Sequence, residues 1–586
     1  MHLSYSTSKY KGKVYKSYSI AKSYRDGKTS KKEIIWPIGK LTDLEAQQIS
    51  LICKTISGTD QILTSLRDVV VKESKPYGDI AIANAIWERW KLSKAFEINT
   101  TSELSTNIVA KVLTLNRCIA PCSHYSIPRW VNETAVSEII EKDLGRLNDD
   151  KIYYELDKIG QNQESMENHL FEITYREDKK SYDYVNYDLS SSYFVGFKCS
   201  LSQYGKSKDD KPNNKQVLLG ILVNDKGYPF KWDVYPGNMS EIDTLVDNVD
   251  ACVKRFKLKN INMVFDRGIV SDGNLTYINN ESLKYISALD KDQIPNIPSV
   301  DLSVFTGVTI ENYKEYLPGL GFKQYDGSLF YQDLGEIDHQ RYILGFNPAL
   351  YKEDRKCRDE KIAYFENFLE KKNGELRNAK RSRKRESTRQ IIFNELKRLK
   401  INKYFQDPIL KAIQVEQKNK KGEMRTVKPF KITIRKKDNI IADWEKLDGV
   451  CVFISNHTGK TDNEYRFPAE KIINAYREKT KIEDVFKHIK AFLKIRPFNV
   501  NTESHVRAVY SICVFSYFIN KDLAERRRKI EGIDCLNSKR LYEPFRKYHY
   551  MKVADEKYSK IKMGPMEFSP ETKKYIISLG LKDLAK

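Results

Sequence analysis

The sequence has no hydrophobic run long enough to cross a membrane. Its longest apolar run, Ala508 to Ile519, has twelve residues, whereas a helix that spans a bilayer needs about 20. The first residues, MHLSYSTSKYKGK, are polar and basic and contain no apolar segment of a secretory signal. We therefore expect a cytoplasmic protein that does not associate with membranes.

Cysteine and histidine patterns that hold metals or form disulfides are also missing. The nine cysteines are scattered, and only Cys118 and Cys122 lie close, as a C-x3-C motif without a second pair. The eight histidines show no spacing typical of metal ligands, and His488 and His505 fall in predicted helices. Buried free thiols are the expected role of the cysteines, and packing or capping is the expected role of these two histidines.

The composition is that of a folded, strongly basic chain. Among 586 residues, 40% are hydrophobic and 11% aromatic, which a disordered chain would not contain. Lys and Arg number 101 against 79 Asp and Glu, so the net charge of +22 favours a polyanionic partner. Residues 371–437 alone hold 23 Lys and Arg against 6 Asp and Glu, a difference of +17. Nucleic acid is therefore the expected partner of this segment.

Hydrophobic periodicity divides the chain into six segments. Short alternating runs around the turn dipeptide Asp26-Gly27 predict strands, and the spacing of Ile82, Ile86 and Trp90 predicts helix. The predicted segments are a β-rich N-terminal region (1–75), an α-helical region that is a scaffold or binds DNA (76–180), the first part of an α/β core (181–295), a basic insertion domain (296–447), the second part of the core (448–520) and a basic C-terminal region (521–586).

Two aspartates stand out in the first part of the core, which predicts three strands, a helix and two more strands in a mixed sheet. Asp188 lies on the first strand, on the same face as Asn186, whereas Val185 and Tyr187 face the other side. Asp266 ends the apolar run NINMVF, where a chain leaving a sheet can present a carboxylate to a cleft. The two carboxylates could share a metal ion.

A glutamate in the second part of the core is the third candidate. Ala469 to Ile495 predicts one long helix, on which Tyr476, Lys479, Glu483 and Lys490 lie within an arc of about 60°. The apolar stripe beside them would pack on a sheet; it consists of Ile482, Val485, Phe486, Ile489 and Leu493. A polar stripe alone is ordinary amphipathicity, but together with the two aspartates it points to a site.

These residues resemble the DDE transposases of bacterial insertion sequences, whose signature is Tyr-x2-Arg-x3-Glu-x6-Lys. The signature is present here as Tyr476, Lys479, Glu483 and Lys490, with Lys479 at the Arg position. Lysine keeps the charge but lacks the planar fork of arginine. Several other stretches also resemble the family: SYRDGK, GDIAIANAIWERW, APCSHYSIPRW, YDLS around Asp188, PGNMSE, FDRG around Asp266, and IRPF followed by His505.

The resemblance implies a ribonuclease H-like α/β core interrupted by the insertion domain. It assigns Asp188, Asp266 and Glu483 as catalytic residues and ligands of two Mg²⁺ or Mn²⁺ ions. An activated water would nick double-stranded DNA at the inverted repeats of an insertion sequence, and the freed 3′-hydroxyl would then attack target DNA. The enzyme would work as a homodimer in a synaptic complex, in the nucleoid of a bacterial host.

DNA contacts are expected at two places. Tyr476, Lys479 and Lys490 would hold the DNA end. Arg267, Asn238 and Glu241 would support the carboxylates or contact DNA, with loop and turn roles as the alternative. The densest basic run would grip phosphates; it contains Lys380, Arg381, Arg383, Lys384 and Arg385. Two alternatives remain open, a nuclease that uses the same carboxylates without strand transfer and a catalytically silent DNA-binding protein derived from a transposase.

Overall fold

The computed structural model describes most of the chain. The described residues are 1–27, 29–56, 69–98, 103–195, 198–205, 213–297, 300–379, 381–418, 424–532, 537–555 and 560–585. They form two compact units. The terminal unit comprises Met1–Ile82, Arg129–Gly145 and Tyr542–Lys586, and the core unit comprises Ala83–Pro128 and Arg146–Leu541. The division into six segments remains a prediction.

Strands occur in both units. In chain order they are β1 (His2–Tyr10), β2 (Lys13–Asp26), β3 (Thr29–Gly39), β4 (Val69–Pro76), β5 (Tyr184–Tyr193), β6 (Gln216–Asn224), β7 (Pro229–Pro236), β8 (Asn262–Phe265), β9 (Lys284–Ala288), β10 (Lys323–Asp326), β11 (Leu329–Ile337), β12 (Gln340–Phe346), β13 (Ile409–Ala412), β14 (Val415–Lys418), β15 (Met424–Val427), β16 (Phe430–Thr433), β17 (Val450–Ser455), β18 (Lys460–Thr461), β19 (Glu464–Tyr465), β20 (His549–Asp555) and β21 (Lys560–Pro565).

Helices connect and cover these strands. In chain order they are α1 (Asp43–Ile56), α2 (Gly78–Arg89), α3 (Thr106–Ile119), α4 (Ile127–Glu133), α5 (Val136–Ile140), α6 (Asp149–Gln161), α7 (Gln163–Glu177), α8 (Leu245–Asp250), α9 (Asp272–Asn280), α10 (Tyr313–Gly319), α11 (Pro348–Arg377), α12 (Arg385–Leu399), α13 (Asp438–Glu445), α14 (Ala469–Arg477), α15 (Thr480–Lys487), α16 (Glu503–Glu531), α17 (Ser538–Leu541) and α18 (Pro570–Ser578). Among the described helices, none combines the length and hydrophobicity that a bilayer crossing requires.

The terminal unit contains two antiparallel three-stranded sheets, ordered β1-β2-β3 and β21-β20-β4. The β1–β2 connection is a two-residue turn in which Lys11 and Gly12 both have positive φ, 47° and 78°. Two successive residues of this kind form the turn whose twist matches a β-hairpin. The next strand pair turns between Asp26 and Thr29, so the turn predicted at Asp26-Gly27 is confirmed.

A nine-stranded mixed sheet lies at the centre of the core unit. Its strand order is β10-β11-β12-β17-β9-β8-β5-β6-β7. β5, β6 and β7 run antiparallel in succession, while β8 is parallel to β5 and β9 is parallel to β8. The sequence predicted this succession of three strands, a helix and two more strands, and the structure confirms it.

Apolar cores cover both faces of the central sheet. Val185, Tyr187 and Phe265 belong to a large core on one face. Val264 and Ile286 point to the other face, where they pack with Ile472 and Ile473 of α14. Successive side chains of β5 and β8 therefore point alternately into the two cores. α14 packs on the face of the sheet that also carries Asp188 and Asp266.

The predicted insertion differs from the structure at its beginning. Residues 296–447 were expected to leave the core, yet β10, β11 and β12 extend the central sheet through the pairing of β12 with β17. Sequence could not show this because strand pairing is non-local. The part that builds its own core runs from α11 to α13, where Phe365, Ile392 and Ile432 are buried together.

This inserted part is fixed to the sheet by a buried ion pair. Arg358 of α11 donates hydrogen bonds of 2.8 and 2.7 Å to the two carboxylate oxygens of Asp448, two residues before β17. Both side chains are almost fully buried. The two-pronged contact sets the direction in which α11 leaves the sheet, because a guanidinium and a carboxylate pair in one plane.

The start of α11 offers a test of local stability. The Asn347 side chain accepts hydrogen bonds from the N–H groups of Ala349 and Leu350 at 2.9 and 3.1 Å, and Pro348 occupies the first helical position. We expect Asn347→Ala to lower the free energy of unfolding by about 1 kcal/mol, because two N–H groups lose their acceptor. Urea denaturation measures it. The control is Asn378→Ala at the exposed C-terminal end of the same helix, which should change stability little.

Helices from distant parts of the chain form the rest of the core unit. α3 is buried on nearly every side and packs, like α6, against the long helix α16. The predicted helix that contains His505 is confirmed as α16, which continues to Glu531. DNA binding by residues 76–180 remains a prediction. The eight cysteines that the structure describes are free thiols, and Cys535 lies outside the described residues.

Candidate active site

Asp188 and Asp266 occupy neighbouring positions on two parallel strands. The last paired residues of β5 and β8 are Tyr187 and Phe265, and each aspartate comes directly after its member of that pair. Since Tyr187 and Phe265 point into one core, the next residue of each strand points to the opposite face. The two carboxylates predicted from sequence are therefore on the same face of the sheet and at the same level along it.

Asp266 is held by three donors. Its Oδ1 accepts hydrogen bonds from the Arg267 N–H at 2.9 Å and the Tyr476 hydroxyl at 3.3 Å, and it lies 3.0 Å from the Lys479 ammonium. Burial by itself would raise the pKa of Asp266, but the charge and hydrogen bond of Lys479 and the Arg267 N–H bring it below its ordinary value. Asp266 is therefore ionised at neutral pH, although it is largely removed from water.

Tyr476 and Lys479 both contact Asp266, and Asp188 has a hydrogen bond of its own. Burial raises the pKa of Tyr476 well above its ordinary value, and the neighbouring Asp266 charge raises it further, so the phenol stays protonated and donates to the carboxylate. Lys479 is buried, which is unusual for an ammonium unless it is paired. Asp188 accepts a hydrogen bond at 2.8 Å from the N–H of Leu189.

The predicted single helix from Ala469 to Ile495 is wrong. α14 ends at Arg477, α15 begins at Thr480, and a wide turn with π-helical bonding follows at His488–Phe492. Between α14 and α15 the N–H of Lys479 bonds to the carbonyl of Tyr476 and that of Lys481 to Glu478, three residues back instead of four. This tighter turn rotates the following residues, so the 60° arc of an ideal helix does not hold across it.

Three members of the predicted polar stripe nevertheless line one cavity. The cavity has a volume of about 550 Å³, and its walls are Asp266, Arg267, Tyr476, Arg477, Lys479, Thr480 and Glu483. Glu483 is exposed on α15, which contacts β5, the strand that carries Asp188. The predicted apolar stripe is confirmed, since Ile482, Val485, Phe486, Ile489 and Leu493 are all buried. Lys490 is half-buried in the wide turn and is not among the residues that line the cavity.

The cavity combines two carboxylates with three cationic side chains. The Arg267 side chain is half-exposed and lies 3.0 Å from the carboxylate of Asp290. Arg477, which the sequence pattern missed, pairs with Asp326 and donates a hydrogen bond of 2.8 Å to the hydroxyl of Ser328. Nothing in the signature marks this position, because Arg477 lies between the signature residues Tyr476 and Lys479. Cationic side chains in this position could bind a phosphate group while the neighbouring carboxylates hold a metal ion.

A metal-binding group of three carboxylates is not assembled. Among the described residues, no cluster of three or more His, Cys, Asp and Glu side chains is placed to hold a metal ion. The ammonium of Lys479 lies 3.0 Å from the Asp266 carboxylate. The chemistry of the donors still fits Mg²⁺, since carboxylate oxygens are the ligands that this ion prefers. The two-ion site therefore stays a prediction.

The other predicted residues are distributed over the surface of the core unit. Asn238 is exposed in the turn after β7. Glu241 lies beside Gly268, where a Cβ atom would come within 3.0 Å of its carboxylate oxygen, so it is close to the Asp266 loop. The basic run between α11 and α12 is exposed at Arg381, Arg383, Lys384 and Arg385, and Lys380 lies outside the described residues. Contact of these residues with DNA remains a prediction.

His488 packs in the core, and His505 lies at the capped start of α16. His488 is 1% exposed, and its Nε2 lies 3.0 Å from the side-chain amide of Asn520. The ring also packs on Phe492 and Tyr517. His505 follows Thr502, whose hydroxyl accepts a hydrogen bond from the His505 N–H and caps α16. Packing and capping were the expected roles of these residues.

Burial of His488 predicts a loss of stability in acid. Burial lowers the pKa of His488 to about 3, whereas an unfolded histidine titrates near 6.5. As the pH falls from about 6.5 towards about 3, the unfolded chain therefore binds a proton that the folded chain does not. Stability should fall by up to about 1.4 kcal/mol per pH unit in this range. Urea midpoints measured against pH should flatten in His488→Gln, while His339→Gln, at an exposed histidine, should leave the profile unchanged.

Comparison with known proteins finds a family match in the N-terminal residues of the chain. Residues 3–65 match the sequence model of the IS1634 family transposase N-terminal domain. The search of curated proteins returned no match. Among solved structures, a piggyBac transposase synaptic complex with hairpin DNA aligns at 9% identity over 81% of this chain and 83% of that chain, with a TM-score of 0.34. A Mos1 transposase paired-end complex with the left transposon end aligns at 13% identity over 32% and 60%, with a TM-score of 0.14.

Proposed function

We propose that the protein is a DDE transposase that cleaves DNA at the ends of an insertion sequence and joins them to target DNA. The observation that carries the proposal is the cavity that Asp266 and Glu483 line together with Lys479, Arg267 and Arg477. Asp188 adds a carboxylate at the position next to Asp266 on the parallel strand. The family match at residues 3–65 supports the same class of protein.

We further propose that strands β5 to β9 are a ribonuclease H-like core. The resemblance requires an acidic residue on the first strand, a second after the fourth strand and a third on a late helix. Asp188, Asp266 and Glu483 have these positions. The match in order supports the assignment of all three as catalytic residues.

Asp188, Asp266 and Glu483 would hold divalent metal ions. Mg²⁺ or Mn²⁺ bound there would supply activation of a water molecule and stabilisation of the leaving oxygen. Lys479 and the Arg267 N–H keep Asp266 ionised, which is the state that binds a cation. Tyr476 orients the same carboxylate through its hydroxyl. The guanidinium groups of Arg267 and Arg477 would bind DNA phosphates next to the carboxylates.

The experiment uses the full chain with Mg²⁺ and a duplex that carries the inverted repeats flanking its own gene. We expect cleavage at the repeat ends and covalent joining of the freed 3′-ends to a supercoiled target plasmid. Cleavage without any joined product would favour a nuclease instead. Specific binding of the ends with neither product would favour a silent DNA-binding protein and would contradict the proposal.

A further inference from the structure

The first hairpin of the terminal unit projects from its sheet as a two-stranded ribbon. Among the described strands, β3 pairs with residues 18–26 of β2, and none pairs with residues 5–17 apart from β1 and β2 themselves. Every residue from 5 to 17 is exposed. We refer to residues 5–17 as the β1–β2 ribbon. A two-stranded ribbon that buries so little of itself is marginally stable alone, which points to a role in contacting a partner.

The β1–β2 ribbon carries only positive charge. Its charged residues are Lys9, Lys11, Lys13 and Lys16, and it contains no Asp or Glu. Lys9 and Lys16 extend from one face and Lys13 from the other, as the β1–β2 register shows, while Lys11 lies in the turn. Positive charge is therefore available on both faces and at the tip, which suits a partner that surrounds the ribbon with negative charge.

Aromatic and hydroxyl side chains occupy the remaining positions of the ribbon. Tyr5 and Tyr10 lie under lysine ammonium groups at 5.2 and 5.6 Å from their ring centres, and Tyr15 is also exposed. Hydroxyl groups are present at Ser6, Thr7, Ser8 and Ser17. Lysines and hydroxyls of this kind are the common donors to phosphate oxygens in protein–DNA contacts.

We propose that the β1–β2 ribbon binds double-stranded DNA by entering the major groove. The major groove is wide enough for a two-stranded β-ribbon, and phosphates line it on both sides. A second copy of the chain is a poorer occupant, because two ribbons with four lysines and no acids repel each other. The proposal rests on the proposed function only because it takes DNA as the polyanion. The residues of the ribbon are not among those that line the cavity.

The test compares two variants of the full chain that lose the same charge. In the ribbon variant, Lys9, Lys11, Lys13 and Lys16 are changed to Gln. In the control variant, four exposed lysines elsewhere in the terminal unit are changed to Gln: Lys547, Lys562, Lys574 and Lys582. Fluorescence anisotropy with a labelled random-sequence duplex of about 30 base pairs gives the affinity at several salt concentrations, and a duplex of this length spans about three helical turns.

We expect the ribbon variant to bind the duplex at least about tenfold more weakly at 0.1 M salt, with a log–log salt slope reduced by about three to four units. The control variant should keep both the affinity and the slope. Equal losses in the two variants would overturn the proposal, because net charge alone would then explain them. Unchanged binding by a ribbon variant with an unaltered melting temperature would also overturn it and would favour an acidic protein partner.

A cleavage assay separates this proposal from the proposed function. At a low protein concentration, the ribbon variant should cleave transposon ends more slowly than the unaltered protein because it binds the DNA more weakly, and a higher concentration should raise its rate. If the unaltered protein never cleaves DNA while the ribbon variant binds it more weakly, the proposed function fails and the ribbon proposal stands. If the unaltered protein cleaves DNA while the ribbon variant binds it with equal affinity, the ribbon proposal fails and the proposed function stands.

Discussion

Replacement of Asp266 by Asn should abolish DNA cleavage and strand transfer, with a loss of rate of at least about a thousandfold. Asn has the same shape but no negative charge, so it binds a divalent cation poorly, and a bound ion contributes several kcal/mol to stabilising the transition state. The substitution also leaves the buried Lys479 ammonium without its carboxylate. Single-turnover cleavage of end-labelled transposon DNA measures the loss, and binding to the same DNA should persist.

The matched control is Asp290→Asn. Asp290 is a half-exposed carboxylate that pairs with Arg267 at 3.0 Å and does not line the cavity, so this change removes one negative charge close to Arg267 without changing Asp266. Cleavage should fall by less than about tenfold, as expected for an exposed pair. Cleavage by Asp266→Asn at a rate close to that of the control would contradict the assignment of Asp266 as a catalytic residue.

Glu483→Gln is expected to reduce cleavage by at least about a hundredfold, because a neutral amide is a poor ligand for a divalent ion. Glu483 is exposed, so the substitution should not disturb packing. Thermal unfolding should be unchanged, and DNA binding should be equal or slightly tighter, since a negative charge near the phosphates is removed. The measurement is the same single-turnover assay, run in Mg²⁺ and in Mn²⁺.

The control for Glu483 is its neighbour on α15, the exposed Asp484. Asp484 does not line the cavity, and Asp484→Asn removes the same charge from the same helix. We expect it to cleave and join DNA like the unaltered protein. Excision and insertion by Glu483→Gln at the level of this control would exclude the three-carboxylate mechanism and leave Asp188 and Asp266 without their third partner.

Sequence patterns located the core strands because their signals are local. The alternation along β5 and the short apolar run that ends at Asp266 each depend on only a few residues. The pairing of β12 with β17, by contrast, joins chain segments that are far apart in sequence. No periodicity within either strand specifies its neighbour, so the sheet was predicted smaller than it is.

The site was predicted in part for a similar reason. The apolar face of α15 fixed the side on which Glu483 lies, and this part of the pattern was correct. Periodicity does not distinguish a continuous helix from two helices joined by a tight turn, because both keep the apolar residues three and four apart. The tight turn at Lys479 and the contact of its ammonium with Asp266 became visible only in the folded chain.

The inserted part between β12 and β17 leaves and re-enters the sheet at a single point. The N–H of Asn347 donates a hydrogen bond of 2.8 Å to the carbonyl of Gly449, so about one hundred residues begin and end side by side. In topological terms these residues form one long loop between β12 and β17, which pair with each other as the strands of a hairpin do. Most of the excess positive charge of the chain therefore lies in a segment that could be replaced by another without changing the strands that carry the carboxylates.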